Sequence, residues 1–177
     1  MILTIKLLRT LTNMAKLYLA YGSNLNLSQM AVRCPDARQL GAMYIPYWRL
    51  VFRHVADIEP SRSANDLLPV GLWEITKECE EALDFYEGVP NLYKKIMVNG
   101  IMTYQMNRTN TQPPSRGYFH SILEGYKDFG LDNKHLFDAL GWSHFLDANQ
   151  MSWSEPRVSK KKFNHFNLLS KGKNNEK

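Results

Sequence analysis

The feature that most constrains this chain is a strand that stops abruptly. Leu17, Tyr18, Leu19, Ala20 and Tyr21 alternate aromatic and aliphatic side chains, and Gly22, Ser23 and Asn24 follow at once. An apolar run with that alternation reads as a buried or half-buried strand. Glycine admits backbone angles closed to other residues, and Ser and Asn bond to nearby backbone and hold a tight turn. A strand that ends this way leaves several N–H groups pointing in one direction. Such a concavity binds an anion or the oxygen of a polarised carbonyl. Taken alone, the same residues also describe a plain strand and turn without a ligand.

With 177 residues the chain is long enough for one domain with a real core, and 44% apolar residues place it among globular proteins rather than disordered ones. No apolar run approaches the roughly 20 residues that span a bilayer. Two cysteines, Cys34 and Cys79, make neither a disulfide framework nor metal-site spacing, which points to a reducing, cytoplasmic compartment. The charge is uneven. Residues 157–177 carry seven Lys or Arg against one acid, so the rest of the chain holds about −1 of the formal +5. A basic tail of this kind is ordinarily a solvated end. Contact with nucleic acid or anionic lipid, helped by Phe163 and Phe166, is the alternative.

Turn and cap signals divide the chain. Residues 1–13 read as an N-terminal extension, residues 14–150 as the domain and residues 151–177 as a basic, flexible tail. Residues 27–33 read as a short helix ended by Cys34 and Pro35. Residues 39–59 read as strand with a break at Pro46, placing Trp48, Leu50 and Phe52 on one face and Arg49, Val51 and Arg53 on the other. Residues 68–75 form an apolar strand whose Gly71 implies close approach of another backbone. Thr76 caps a helix with Cys79, Ala82, Leu83 and Tyr86 on its buried stripe, stopped by Gly88 and Pro90. Asn99-Gly100 between two apolar runs is a strong hairpin signal. Helical spacing then runs from Tyr118 to Phe129, with Gly130 as the stop. A last helix begins after Asp132 and ends at Gly141. Strands and helices in this order argue for a mixed α+β domain without a dinucleotide fingerprint or P-loop.

Glu87 stands out by its setting at a helix end, between Tyr86 and Gly88-Val89-Pro90. A carboxyl among apolar groups has a raised pKa and can exchange a proton near neutral pH. A surface glutamate at a helix end is the plainer reading. The histidines, His54, His120, His135 and His144 among them, show no ligand spacing and read as surface or core residues.

Tyr21-Gly22-Ser23-Asn24-Leu25 after a strand, Gly71-Leu72-Trp73 before a helix, and Leu83-Asp84-Phe85-Tyr86-Glu87-Gly88-Val89 at its end resemble the γ-glutamylcyclotransferase family. Pro113-Pro114-Ser115 with Tyr118 is similar to the family's later pocket segment. Arg33-Cys34-Pro35-Asp36-Ala37 and the segment from Glu124, Gly125 and Tyr126 to Leu131 resemble its bacterial members. The resemblance spans about residues 16–140.

It implies a small mixed β-barrel of about five to seven strands with helices packed against it. It also implies an enzyme that releases 5-oxoproline and a free amine from γ-glutamyl compounds. The resemblance assigns Glu87 as acid/base and the loop formed by Tyr18, Leu19, Ala20, Tyr21, Gly22, Ser23 and Asn24 as holder of the glutamyl group. Tyr118 matches a pocket tyrosine, and Tyr93 lies where members often carry an aromatic. No cofactor and no metal is implied, the partner is a small γ-glutamyl molecule, and the chain would be a monomer or homodimer. Within the family the leaving group could instead be a lysine ε-amine or a small amine. Outside catalysis, the fold could serve as a module that sequesters a small ligand or a protein partner.

Overall fold

A computed structural model describes residues 15–151. The expected extension at residues 1–13 and, apart from residue 151, the expected tail at residues 151–177 lie outside the described residues. By its contacts the chain divides after Asp147, and of the unit from Ala148 onward only the end of the last helix is described.

The chain runs β1 (Lys16–Ala20), a 3-10 turn (Ser23–Leu25), α1 (Leu27–Arg33), β2 (Arg38–Pro46), β3 (Trp48–Arg53), β4 (Val55–Pro60) and β5 (Leu67–Ile75). It continues through α2 (Lys77–Glu87), β6 (Tyr93–Val98), β7 (Ile101–Met106), α3 (Arg116–Phe129) and α4 (Asn133–Met151). No helix among the described residues is long and apolar enough to cross a membrane.

Five strands form one sheet in the order β2-β5-β1-β7-β6, and β3 and β4 form a separate hairpin. β1 is therefore central. It pairs antiparallel with β5, Tyr18 opposite Trp73, and parallel with β7, Tyr18 opposite Met102. Being flanked on both edges, β1 buries Tyr18, Leu19 and Ala20 alike, so alternation there reflects two covered faces. The β-barrel expected above is not closed by backbone pairing. Where β4 meets β7, side chains replace the ladder: Met106 N–H donates to Asp57 Oδ1 at 2.8 Å and Gln105 Nε2 donates to Ile58 O at 3.1 Å.

Local signals account for most element ends. Thr76 Oγ1 accepts from Cys79 N at 3.2 Å, and Gly88 ends α2 with φ 65° in the left-handed region. Asn99 and Gly100 take φ 50° and 79° between β6 and β7, as that dipeptide implies. Residues 39–59 hold two breaks, not one. Besides Pro46 and Tyr47, the chain reverses at His54 (φ 68°), which carries no glycine to announce it. Val51 and Arg53 are buried along with Leu50 and Phe52, because the hairpin is covered on both faces. On α2, Cys79 and Leu83 are buried, but Ala82 and Tyr86 are exposed and Glu80 is buried in their stead. Glu80 is drawn in by Lys16 and Lys95, which lie 2.5 and 2.7 Å away. α4 does not end at Gly141 but continues to Met151. Glycine lowers helix stability without forbidding it.

Two glycines let the layers pack closely. A Cβ on Gly71 would lie 2.6 Å from the Phe129 ring and 2.8 Å from Leu25. A Cβ on Gly125 would lie 2.5 Å from Leu25 Cβ and 2.7 Å from Asn26 N. α3 and β5 thus clamp the fully buried Leu25 and set the height of the turn that precedes it. Asn26 secures the same joint: it caps α1 at Gln29 N (3.0 Å) and donates to Glu124 Oε2 (3.0 Å) on α3.

Candidate active site

The end of β1, the 3-10 turn and the end of α2 open onto a cavity of about 150 Å³. Tyr18, Tyr21, Gly22, Ser23, Asn24, Glu87 and Tyr118 all line it. Of the residues expected there, Leu19 and Ala20 do not: both are buried in the core, and Leu19 O accepts the Thr103 hydroxyl at 2.8 Å. Their part is to fix the strand that delivers the turn.

Gly22 has a negative φ of −111°, so its place is not explained by the left-handed region. Space explains it. A Cβ would stand 3.1 Å from Ala56 Cβ and 3.3 Å from the Tyr118 hydroxyl. The turn closes on itself through Leu25 N to Gly22 O and Asn26 N to Ser23 O. The N–H groups of Gly22, Ser23 and Asn24 are used by no turn or cap hydrogen bond among the described residues. All three residues line the cavity.

Glu87 is half-buried on the cavity wall. Its Oε1 accepts from Asn24 Nδ2 at 2.9 Å, and the same Nδ2 donates to Tyr18 OH at 2.9 Å. Burial pushes the carboxyl up to about 7, against the Asn24 hydrogen bond and the Arg33 charge, which pull it down. The groups that close around it come from distant elements. Tyr93 on β6, Tyr104 on β7 and Tyr118 on α3 share the cavity, whereas its sequence neighbours Val89 and Pro90 do not line it.

The tyrosines are held, not loose. Tyr93 OH donates to Ala56 O at 2.8 Å, and Ala56 N–H donates to Tyr118 OH at 3.1 Å, so one hairpin residue anchors two pocket phenols. Tyr21 OH donates to Tyr104 O at 2.8 Å, and Tyr104 OH donates to Asp84 Oδ1 at 2.7 Å. Burial pushes all of these phenols upward, Tyr118 to about 12, so they stay protonated over the range in which Glu87 titrates.

Sequence reasoning missed Tyr104, Val55, Ala56 and Leu92 of the lining, and the Arg33 side chain behind Asn24, whereas Tyr86, read as a neighbour of Glu87, does line the cavity. Tyr104 carried a faint signal, an aromatic in a hairpin strand. Val55 and Ala56 carried none, since the turn at His54 was not read. Among the described residues no group of three or more His, Cys, Asp or Glu could hold a metal ion.

No family model matches the sequence, and no curated protein matches it. Solved structures do. A γ-glutamyl cyclotransferase aligns at TM-score 0.61 with 25% identity, over 90% of this chain and 100% of the other. The chain shares the fold of the γ-glutamyl cyclotransferases. The uncharacterized protein loc79017 from Homo sapiens gives TM-score 0.60 at 25% identity, over 89% of this chain and 99% of that one. YkqA from Bacillus subtilis, at TM-score 0.59 and 16% identity over 78% and 58% of the two chains, matches in fold alone. The resemblance to the γ-glutamylcyclotransferase family, first carried by short motifs, is thus also one of tertiary structure.

Proposed function

We propose that this protein cleaves γ-glutamyl amino acids, peptides or amines by intramolecular cyclisation, with Glu87 as general acid/base. The substrate's α-amine attacks its own γ-carbonyl carbon. A C–N bond forms to close the five-membered ring, and the γ-amide C–N bond breaks, giving 5-oxoproline and a free amine. The nucleophile is already tethered, so the protein's task is to fold the substrate, remove a proton and hold the oxyanion. Glu87 takes one proton from the ammonium and hands it to the leaving amine, and the second proton that the attacking nitrogen sheds on ring closure passes to solvent. N–H groups of residues 22–24 receive the oxyanion or the α-carboxylate. Tyr18 and Tyr118 flank the glutamyl group.

The observation that carries this reading is a carboxyl pushed up to about 7 on the wall of one small cavity that Gly22, Ser23 and Asn24 also line, their N–H groups used by no turn hydrogen bond. A base poised near 7 suits proton transfer at neutral pH. Both cysteines are free thiols, in keeping with a reducing cytosol, and the proposal includes that compartment and glutathione as a candidate substrate.

The test is incubation with γ-glutamyl-alanine, glutathione and γ-glutamyl-ε-lysine, scored for 5-oxoproline. Glu87→Gln should fold and lose roughly a hundred- to ten-thousand-fold in rate. Activity within threefold of wild type would remove Glu87 from the mechanism. Binding of these compounds without release of 5-oxoproline would favour a sequestering module instead.

A further inference from the structure

Asn24 has two ends, and the chemistry of Glu87 depends on which one faces it. The amide NH₂ donates and supports the ionised carboxylate. The amide oxygen only accepts, and opposite Glu87 it would demand a protonated acid. We infer that Arg33, which does not line the cavity, is the positioning residue that decides this orientation. The inference rests on the reading of Glu87 as the base.

Arginine has donors and no acceptor. Arg33 Nη1 lies 2.6 Å from Asn24 Oδ1, so only the oxygen end of the amide can face it. Nδ2 is then directed at Glu87 Oε1 and Tyr18 OH, both at 2.9 Å. The guanidinium is itself held on several sides. Nη1 also donates to Ser23 Oγ at 3.1 Å, Nη2 donates to Gln29 Oε1 at 2.6 Å and to Tyr86 OH at 2.5 Å, and Cζ stacks 3.7 Å over the Tyr86 ring. Arg33 closes the last turn of α1, where a cation is favoured. A planar fork can reach these acceptors together, whereas lysine offers a single point charge. The other titratable groups that face Glu87 are Tyr18 from β1, Tyr21 after it, Tyr93 from β6, Tyr104 from β7 and Tyr118 from α3, and Tyr86 beside it on α2 lines the same cavity. Burial keeps the first five as neutral phenols at working pH, and Arg33 is the charge that acts on Glu87, directly and through Asn24.

The test is a mutant cycle on the full chain with two readouts. The first is the Glu87 carboxyl titration by ¹³C NMR without substrate, assigned by its loss in Glu87→Gln. The second is the pH profile of kcat/KM for 5-oxoproline release from γ-glutamyl-alanine. Arg33→Met should move the Glu87 midpoint and the acid limb upward by roughly one unit, with partial return in Arg33→Lys. The rate loss should be near tenfold below the midpoint and small at pH 9. In an Asn24→Ala background Arg33→Met should shift the midpoint by clearly less, because its route through Asn24 is gone and only its direct charge on Glu87 remains. An unchanged midpoint in Arg33→Met, or a shift of the same size with and without Asn24, overturns the inference. If Arg33→Met does not fold, the wild type still decides: the Asn24 Nδ2 protons must titrate with the Glu87 midpoint, and their failure to do so overturns it too. A midpoint shift without 5-oxoproline from any substrate would defeat the proposed function and leave the role of Arg33 standing.

Discussion

Glu87 is held in a balance that can be measured apart from catalysis. Its folded carboxyl titrates near 7 because of burial, against an ordinary value of 4.5. Between those values the folded state binds more protons than the unfolded one, so stability falls as pH rises from about 4.5 to about 7. Above that window the penalty is fully present; below it there is none. Glu87→Gln removes the buried charge and keeps an acceptor for Asn24. It should therefore be more stable than wild type at pH 8, by about 1–3 kcal/mol, and no more stable at pH 4. Urea titrations at the two pH values check this, and an equal difference at both would show that Glu87 does not titrate in the window. The identity of this residue was legible from its motif and its place at a helix end. Burial as the cause of its shift was legible too; the groups that bury it were not, because the phenols around it come from strands and a helix far along the chain.

At the scale of elements, the joint between α3 and the turn after β1 governs the site. Gly125→Ala puts a Cβ 2.5 Å from Leu25 Cβ and 2.7 Å from a backbone nitrogen, which cannot yield as a flexible side chain would. The expected cost is about 2–4 kcal/mol, with a raised KM because the turn that carries the N–H donors is displaced. Gly117 is the second residue of the same helix, with nothing within 4 Å of its Cβ position. Gly117→Ala should be neutral or stabilising by up to about 1 kcal/mol. Melting temperature and KM for the two variants check the contrast. Equal effects would show that helix propensity, not contact with the turn, is what glycine supplies in α3.

At the scale of the molecule, the β3–β4 hairpin supplies Ala56 to the cavity and is tied to the sheet by buried charge. Arg53 is 6% exposed and Asp57 1%, with Nε to Oδ2 at 2.7 Å. Arg53 also donates to Glu59 Oε2 at 2.7 Å and to the Thr109 carbonyl, which brings residues 109–112 alongside the hairpin. Arg53→Met leaves Asp57 buried without its cation. The expected loss is about 3–5 kcal/mol, read as a fall in the urea midpoint. A loss under about 1 kcal/mol would mean that the backbone N–H groups of Met106 and Ile58 suffice for Asp57. Replacing both partners, as Arg53→Met with Asp57→Leu, should recover part of the loss.

What the sequence determined by itself are the features governed by local backbone chemistry. The stop after β1, the Thr76 cap, the Gly88 and Gly130 ends and the Asn99-Gly100 hairpin follow from sterics and hydrogen bonds within a few residues, and each stands where it was read. Gly71 was legible in part: a glycine inside an apolar strand implies close approach, but the Phe129 and Leu25 side chains make it, not another backbone. Tertiary structure alone decided the rest. It set the Asp57 carboxylate in place of a ladder between β4 and β7, so the expected barrel is a five-stranded sheet with a hairpin beside it. It also brought Asn24 to Glu87, 63 positions apart in sequence, and put Arg33 behind Asn24. Such pairings leave no period or spacing in a sequence, because long-range packing selects them after the local elements have formed.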